Sequence, residues 1–305
     1  MDLIGARPNR RALLATGAGA ALAAAVAVAG PAHAAPGPGG GVRGRLRALE
    51  RKHDARLGAF AYDTGTGRAV RYRADELFPM ASLFKTLAAA AVLRDLDRDG
   101  EVLAKRVHYT ARYVEDSGYS PVTEQAANIA NGMTVGELSA AAICRSDNTA
   151  ANLLLRELGG PTAVTRFCRS LGDGTTRLDR WEPELNSAEP WRVTDTTSPR
   201  AIGRTYARLV LGDALAAHDR ERLTDWMLAN TTSEARFRAG LPEGWLLADK
   251  TGGGGYGGNN DVGIAWPPGR PPVVLAVLTT KFEADAKADN PLVAKAAEIL
   301  AEALS

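Results

Sequence analysis

Four short motifs carry side chains suited to acyl transfer. Ser82 and Lys85 stand three apart at what reads as the first turn of a buried helix, between Pro79 and the apolar run 87–93. Pro79 disfavours helix before it, whereas Ala81, Leu83 and the alanines after Lys85 favour one. A spacing of three puts hydroxyl and amine on one helix face at contact distance. The helix start adds the positive end of a dipole and backbone N–H groups with no intrahelical partner. A hydroxyl, an amine able to take its proton and donors aimed at an oxyanion make a nucleophile site. Alone the signal is weak, since average composition produces Ser-x-x-Lys about once in a chain of this size. Three further motifs follow in order: Ser146-Asp147-Asn148 between two helical segments, Glu182-Pro183-Glu184-Leu185-Asn186 in a long loop, and Lys250-Thr251-Gly252 at the end of a strand. Singly, each reads better as a cap, a turn or a strand end, by roughly three to one. Their joint order reverses that reading.

Ser-x-x-Lys, Ser-Asp-Asn and Lys-Thr-Gly in this order resemble the signature of class A β-lactamases and penicillin-binding proteins. The segments 119–123, 146–155 and 177–186 extend the likeness to class A β-lactamases over nearly all of 43–304. The resemblance implies Ser82 as nucleophile, and Lys85 or Glu182 (through a water) as the base that takes its proton. It implies Ser146 as proton relay to the leaving nitrogen with Lys250 beside it, and Glu182 as the base of deacylation. Asn148 would bond the substrate amide, and Asn186 would help hold the hydrolytic water. The N–H groups of Ser82 and Gly253 would receive the oxyanion. A substrate carboxylate needs cationic donors, of which Lys250 and Thr251 supply part. Many relatives add an arginine on the strand after Lys-Thr-Gly, but Gly257-Gly258-Asn259-Asn260 stands there, and Arg236 lies where a subset of the family carries its substitute. Tyr119 would stack beside the substrate or be a half-exposed turn aromatic. Arg180 and Asp195 would bracket the long loop as an ion pair, with Glu182-Pro183 a cis bond.

The elements that must position these groups fall into two kinds. Segment 42–51 reads as a helix and 56–62 with 68–72 as a β-hairpin around Asp63-Thr64-Gly65-Thr66-Gly67. From 82 to about 227 the pattern is helical: Thr134-x-x-Glu137 is a capping box, and helices are expected over 149–158, 162–171, 200–211 and 217–229. Segment 178–197 breaks this run without regular periodicity, which in a compact domain is usually functional. Strands return at 245–250, 262–266 and 273–280, and a final helix follows Asn290-Pro291. The expected fold is α/β plus all-α: an antiparallel sheet built from both ends of the chain, flanked by N- and C-terminal helices, with an all-helical insert. The expected division is 42–78 plus 229–305 for the α/β part and 79–228 for the helical part, which includes the loop 180–195.

Arg7, Arg10 and Arg11 precede the alanine-rich apolar stretch 12–29 and the A-x-A-type site Ala32-His33-Ala34. Residues 1–34 therefore read as a twin-arginine-type signal cleaved near Ala34-Ala35, with 35–41 a flexible leader and the mature enzyme secreted or periplasmic. The formal net charge of +2 falls to about zero once the signal is removed. No basic stripe with interleaved aromatics is apparent, so no nucleic-acid partner is expected. The four histidines have no metal-ligand spacing and no Gly-x-Ser-x-Gly elbow accompanies them. No metal, cofactor or stable membrane association is expected, and the protein should act as a monomer on small-molecule β-lactams. Gly252-x-Gly254-x-x-Gly257 matches a dinucleotide fingerprint formally but leads into a strand rather than a helix. Cys144 and Cys168 read as free thiols, although an exported protein permits a disulfide. Two other functions compete: a D-alanyl-D-alanine peptidase, which would lack the water-activating pair Glu182 and Asn186, and a non-catalytic β-lactam sensor.

Overall fold

The computed structural model describes residues 41–305. The signal segment, its cleavage site and the leader up to residue 40 lie outside the described residues. Strand β9 (Val273–Thr280) is buried along its whole length, and the rest of the sheet forms around it. It pairs antiparallel with β1 (Arg56–Asp63) on one side, in the register Arg56↔Thr280 to Asp63↔Val273. On the other side lies β8 (Gly258–Trp266), which pairs in turn with β7 (Leu246–Gly254). With β2 (Ala69–Tyr72) the order is β2-β1-β9-β8-β7.

Alternation along β9 assigns its side chains to opposite faces. Val273, Leu275 and Val277 join a core with Leu46 and Leu49 of α1 (Val42–Lys52) and Leu292, Val293 and Leu300 of α12 (Asn290–Leu304). Val274, Ala276 and Leu278 face a second core that reaches into the helical part. There α9 (Pro199–Val210) crosses the sheet so closely that a Cβ on Gly203 would lie 3.0 Å from Phe60 Cδ1. Covering both faces makes β9 a continuous apolar run rather than an alternating one.

The helical part surrounds α2 (Phe84–Ala91), every residue of which is buried. Its alanines let α6 (Val135–Cys144), α7 (Asn148–Glu157), α8 (Thr162–Ser170) and α10 (Ala217–Leu228) pack close around it. The Thr134 capping box is present with both of its hydrogen bonds. Short helices that the sequence pattern did not delimit complete the part: α3 (Glu101–Ala104), α4 (Ala111–Ser117) and α5 (Ala126–Asn131), while α11 (Phe237–Gly240) packs against α12. Two-residue strands pair as β3 (Phe78–Pro79) with β6 (Thr196–Thr197), and as β4 (Arg106–Val107) with β5 (Met133–Thr134). We propose that the division into 42–78 plus 229–305 and 79–228 describes the two parts.

Some boundaries differ from expectation, for physical reasons. Strand β7 continues through the glycines to Gly254, because backbone pairing with β8 carries residues of poor strand propensity. The loop 178–197 contains a 3₁₀ turn over Glu184–Ser187 and ends in β6. Asp289, rather than Asn290, caps α12, its carboxylate accepting from the Leu292 N–H at 3.1 Å. Cys144 and Cys168 are both free thiols. The glycine-rich 252–257 stretch is a hairpin between β7 and β8, as its poor fit to a phosphate-binding helix start requires.

Candidate active site

Ser82 lies in a 3₁₀ turn, Ala81–Leu83, and α2 begins only at Phe84. Ala81 has φ of +46°, a left-handed conformation that costs a non-glycine residue roughly 1 kcal/mol or more. The surroundings hold it there. Met80 N–H donates to Asp195 O at 2.8 Å, Asn260 Nδ2 to Pro79 O at 2.9 Å, and the Tyr206 hydroxyl to Leu83 O at 2.7 Å. From the far side β7 presses in, and only glycine fits: a Cβ on Gly252 would stand 2.9 Å from Met80 O and 3.4 Å from Ala81 Cβ.

Lys85, one helical turn on, is fully buried. Its ammonium donates to Ser146 O at 2.8 Å and Asn148 Oδ1 at 2.6 Å, and forms an ion pair with Glu182 Oε1 at 3.0 Å. Two acceptors thus take hydrogen bonds from the ammonium, and the Glu182 carboxylate stands beside it as counter-charge. Burial pushes the Lys85 pKa down, and the carboxylates of Glu182 and, less strongly, Asp147 hold it partly up. Ser146 itself has a left-handed φ of +57°, so its carbonyl reaches Lys85 while its hydroxyl accepts from Lys250 Nζ at 3.0 Å. Lys250, also fully buried, is pushed well below its ordinary range by burial first, then by the charges of Lys85 and Arg236. Two ammonium groups whose pKa burial lowers thus both bond Ser146.

Glu182 comes from the loop 178–197. Its carboxylate is fully enclosed and accepts a short hydrogen bond from Asn186 Nδ2. Its backbone is clamped by Asn152, which accepts from Glu182 N–H at 3.0 Å and donates to Glu182 O at 2.9 Å. The Glu182–Pro183 bond is cis. At the loop's neck Asp195 accepts from Asp179 N–H at 2.7 Å, Arg180 N–H at 3.0 Å and Arg180 Nε at 2.6 Å. At its tip Gly255 N–H donates to Asn186 O at 2.8 Å, and a Cβ on Gly254 would meet that same oxygen at 2.9 Å. Replacing Asp195 by alanine leaves two backbone N–H groups and a guanidinium without their acceptor. Loss of about 2–3 kcal/mol is expected, discounted because Arg180 is partly exposed. In a chain of this size that lowers Tm by about 5–10 °C. Thermal unfolding checks it, and an unchanged Tm would remove Asp195 from this role.

A cleft of about 300 Å³ gathers Ser82, Tyr119, Ser146, Asn148, Asn186, Thr232, Arg236, Thr251 and Gly253 around its walls. Larger recesses lie elsewhere, so the chemistry of the lining identifies this one, not its size. The Arg236 guanidinium is held from behind by Gly252 O at 3.1 Å and Asn260 O at 2.9 Å. Burial lowers its pKa, with Asp261 and Asp249 opposing. Thr251 shares a short hydroxyl contact with Thr232. Tyr119 is 62% exposed at the cleft mouth, while its carbonyl accepts from Asn148 N–H at 2.9 Å. Of the residues singled out from the sequence, Lys85, Glu182 and Lys250 are buried and reach the cleft through the contacts above, Arg180 and Asp195 stand at the loop's neck, and the others line it.

Four participants were not singled out. Asn152 falls one helical turn after Asn148 on the same face of α7, a spacing that could have found it. Asp147 caps α7 through Ala150 N–H at 2.8 Å, and accepts from Val122 and Thr123 N–H at 2.9 Å each, fixing the segment behind Tyr119. Thr232 and Asn260 carry no sequence signal at all, since each acts through a fold contact far along the chain.

Against known proteins, the model of the β-lactamase enzyme family matches residues 42–304. A β-lactamase of Streptomyces fradiae is 78% identical over 305 residues, covering 100% of both chains. One of Streptomyces lavendulae is 67% identical over 304 residues, again covering 100% of both. The solved β-lactamase from Streptomyces albus G superposes with a TM-score of 0.86 at 67% identity, covering 87% of this chain and 99% of that one. The chain belongs to the β-lactamase enzyme family.

Proposed function

We propose that this member of the family is a class A β-lactamase that opens the amide of penicillins and cephalosporins through an acyl-enzyme on Ser82. The observation that supports it best is the position of Lys85, which touches Ser146, Asn148 and Glu182 at once. One ammonium thus links the groups of acylation with the carboxylate of deacylation. In acylation Lys85 or Glu182 takes the Ser82 proton, the N–H groups of Ser82 and Gly253 receive the oxyanion, and Ser146, with Lys250 behind it, protonates the leaving nitrogen. Asn148 bonds the substrate's side-chain amide. Arg236, Lys250 and Thr251 hold its carboxylate. Tyr119 covers the cleft mouth. In deacylation Glu182 and Asn186 orient a water toward the ester. The Asn186 Oδ1 acceptor is buried without a partner among the described residues, and such a water would satisfy it.

Destruction of the antibiotic makes the protein a resistance enzyme. We further propose export through the twin-arginine-type signal, cleaved near Ala34-Ala35, and action as a monomer; no helix among the described residues is long and apolar enough to cross a membrane. The deciding experiment sets nitrocefin hydrolysis beside release of D-alanine from a stem peptide. Many nitrocefin turnovers without D-alanine release are expected. One equivalent of bound β-lactam with no recovery, or D-alanine release as the faster reaction, would overturn the reading.

A further inference from the structure

Two cavities beside the β2 edge of the sheet, one along α1 and the other along α9, share no residue with the catalytic cleft, and arginine dominates both. The larger, about 650 Å³, is lined by Arg43, Arg47 and Arg51 of α1 and Arg71 of β2. The smaller, about 190 Å³, is lined by Arg200, Arg204 and Arg208 of α9. Asp75 lines both, so the two recesses adjoin. Arg200 joins them as well, bonding Asp75 at 2.6 Å through its side chain and Ala74 O at 2.9 Å through its N–H.

Local acids do not neutralise this strip. Glu50 is occupied by Arg73, the Tyr72 hydroxyl and Leu57 N–H, and Glu76 by Arg56 and Arg73. Asp173 accepts from Thr175 and Thr176 N–H and from two threonine hydroxyls. Asp54 lies beyond Arg51 in a neighbouring recess. Arg43, Arg47, Arg51, Arg71, Arg204 and Arg208 are all exposed, and no ion-pair partner serves any of them among the described residues. The Nε of Arg200 is a buried donor, also without an acceptor among these residues. The spacing makes the arrangement costly. Residues 43, 47 and 51, like 200, 204 and 208, repeat at i, i+4, where like charges repel along one helix face. In a chain whose net charge after signal removal is about zero, this concentrates positive charge on one side.

We propose that this strip is a docking groove for a flexible, phosphate-bearing polyanion. Phosphate oxygens match the guanidinium fork, and two adjoining recesses suit successive groups of one chain. The lining argues against other anionic surfaces. Tyr72 is the one aromatic side chain in either cavity, and it is buried with its hydroxyl bonded to Glu50, so no platform for stacked bases is offered. None of the exposed large apolar side chains lines either recess, so nothing there would insert into lipid.

The test uses the full chain with inorganic polyphosphate as probe, followed by calorimetry at about 50 mM and about 0.15 M salt. Binding at the lower salt and marked weakening at the higher are expected. The double reversals Arg47→Glu with Arg71→Glu, and Arg204→Glu with Arg208→Glu, should each weaken it about tenfold or more. Nitrocefin turnover should be unchanged in both, which also shows that they fold. Lys295→Glu on α12, which lines neither recess, should bind as the parent does. Absence of polyphosphate binding by the parent, equal binding by the reversed variants, or binding to phosphatidylglycerol vesicles instead of polyphosphate would overturn the proposal.

Discussion

Glu182→Ala should turn the enzyme into its own trap: acylated by penicillin at close to the parent rate, and then unable to release the product. Loss of a general base typically costs about 10²–10⁴-fold, and here the loss should fall on deacylation. Mass spectrometry after mixing should show one equivalent of covalent adduct on Ser82, persisting while steady-state turnover falls by about 10³-fold. The variant also has a pH signature. The Glu182 carboxylate lies 3.0 Å from Lys85 Nζ and opposes the depression of its pKa by burial. Without that charge the ammonium sheds its proton more readily, so the acidic limb of acylation should move to lower pH. A limb that moves to higher pH would remove Lys85 as the acylation base, and full turnover would remove Glu182 from deacylation.

Lys85→Ala should fail differently, with no adduct to trap. It removes the amine beside the nucleophile turn and the cation that accompanies an enclosed carboxylate. A carboxylate stranded in such a place costs roughly 3–5 kcal/mol, or it takes a proton instead and can no longer activate water. Both halves of the cycle therefore suffer, and kcat/KM should fall by about 10⁴-fold or more. Rapid-quench measurement should find no fast burst. A burst of one equivalent at the parent rate would show that Ser82 is activated by another group. The pair of variants thus separates the steps: one accumulates the ester, the other does not form it.

The parts of this site that were legible in the sequence are those whose side chains must be one particular type. Ser82, Lys85, Glu182 and Lys250, the groups we propose for proton and acyl transfer, needed only their identities and order, because few other residue types suit such roles. Arg236 was legible only through likeness, as a guanidinium displaced from its more frequent place. Asn152 and Asn260 act on backbone carbonyls and N–H groups, a task many polar residues perform in many places, so their type says little. The left-handed Ala81 was illegible for a sharper reason. Local preference would have made it helical, and its conformation comes from Asp195, Asn260 and Gly252, which are 114, 179 and 171 positions away by number in the chain. The sheet was readable from apolar runs and turns, but the continuation of β7 through its glycines depends on a partner strand.

The pairing of β1 with β9 has a consequence for biosynthesis. The strand that begins the domain can form its hairpin with β2 early but cannot meet β9 until residues 273–280 have been made, and α1 waits for α12 in the same way. Nearly the whole chain must emerge before the central pair of the sheet closes, which gives the fold a high contact order and a slow, late step. Until then Lys250 has no fixed place opposite Ser146. A nascent chain is thus inert toward its substrate almost to its last residues, and activity switches on at completion rather than growing with length. The same adjacency of the first and last helices lets their ends be joined and the chain reopened at a distant surface turn. In such a circular permutant β1 and β9 would be near neighbours in the chain, and closure of the sheet would become an early event.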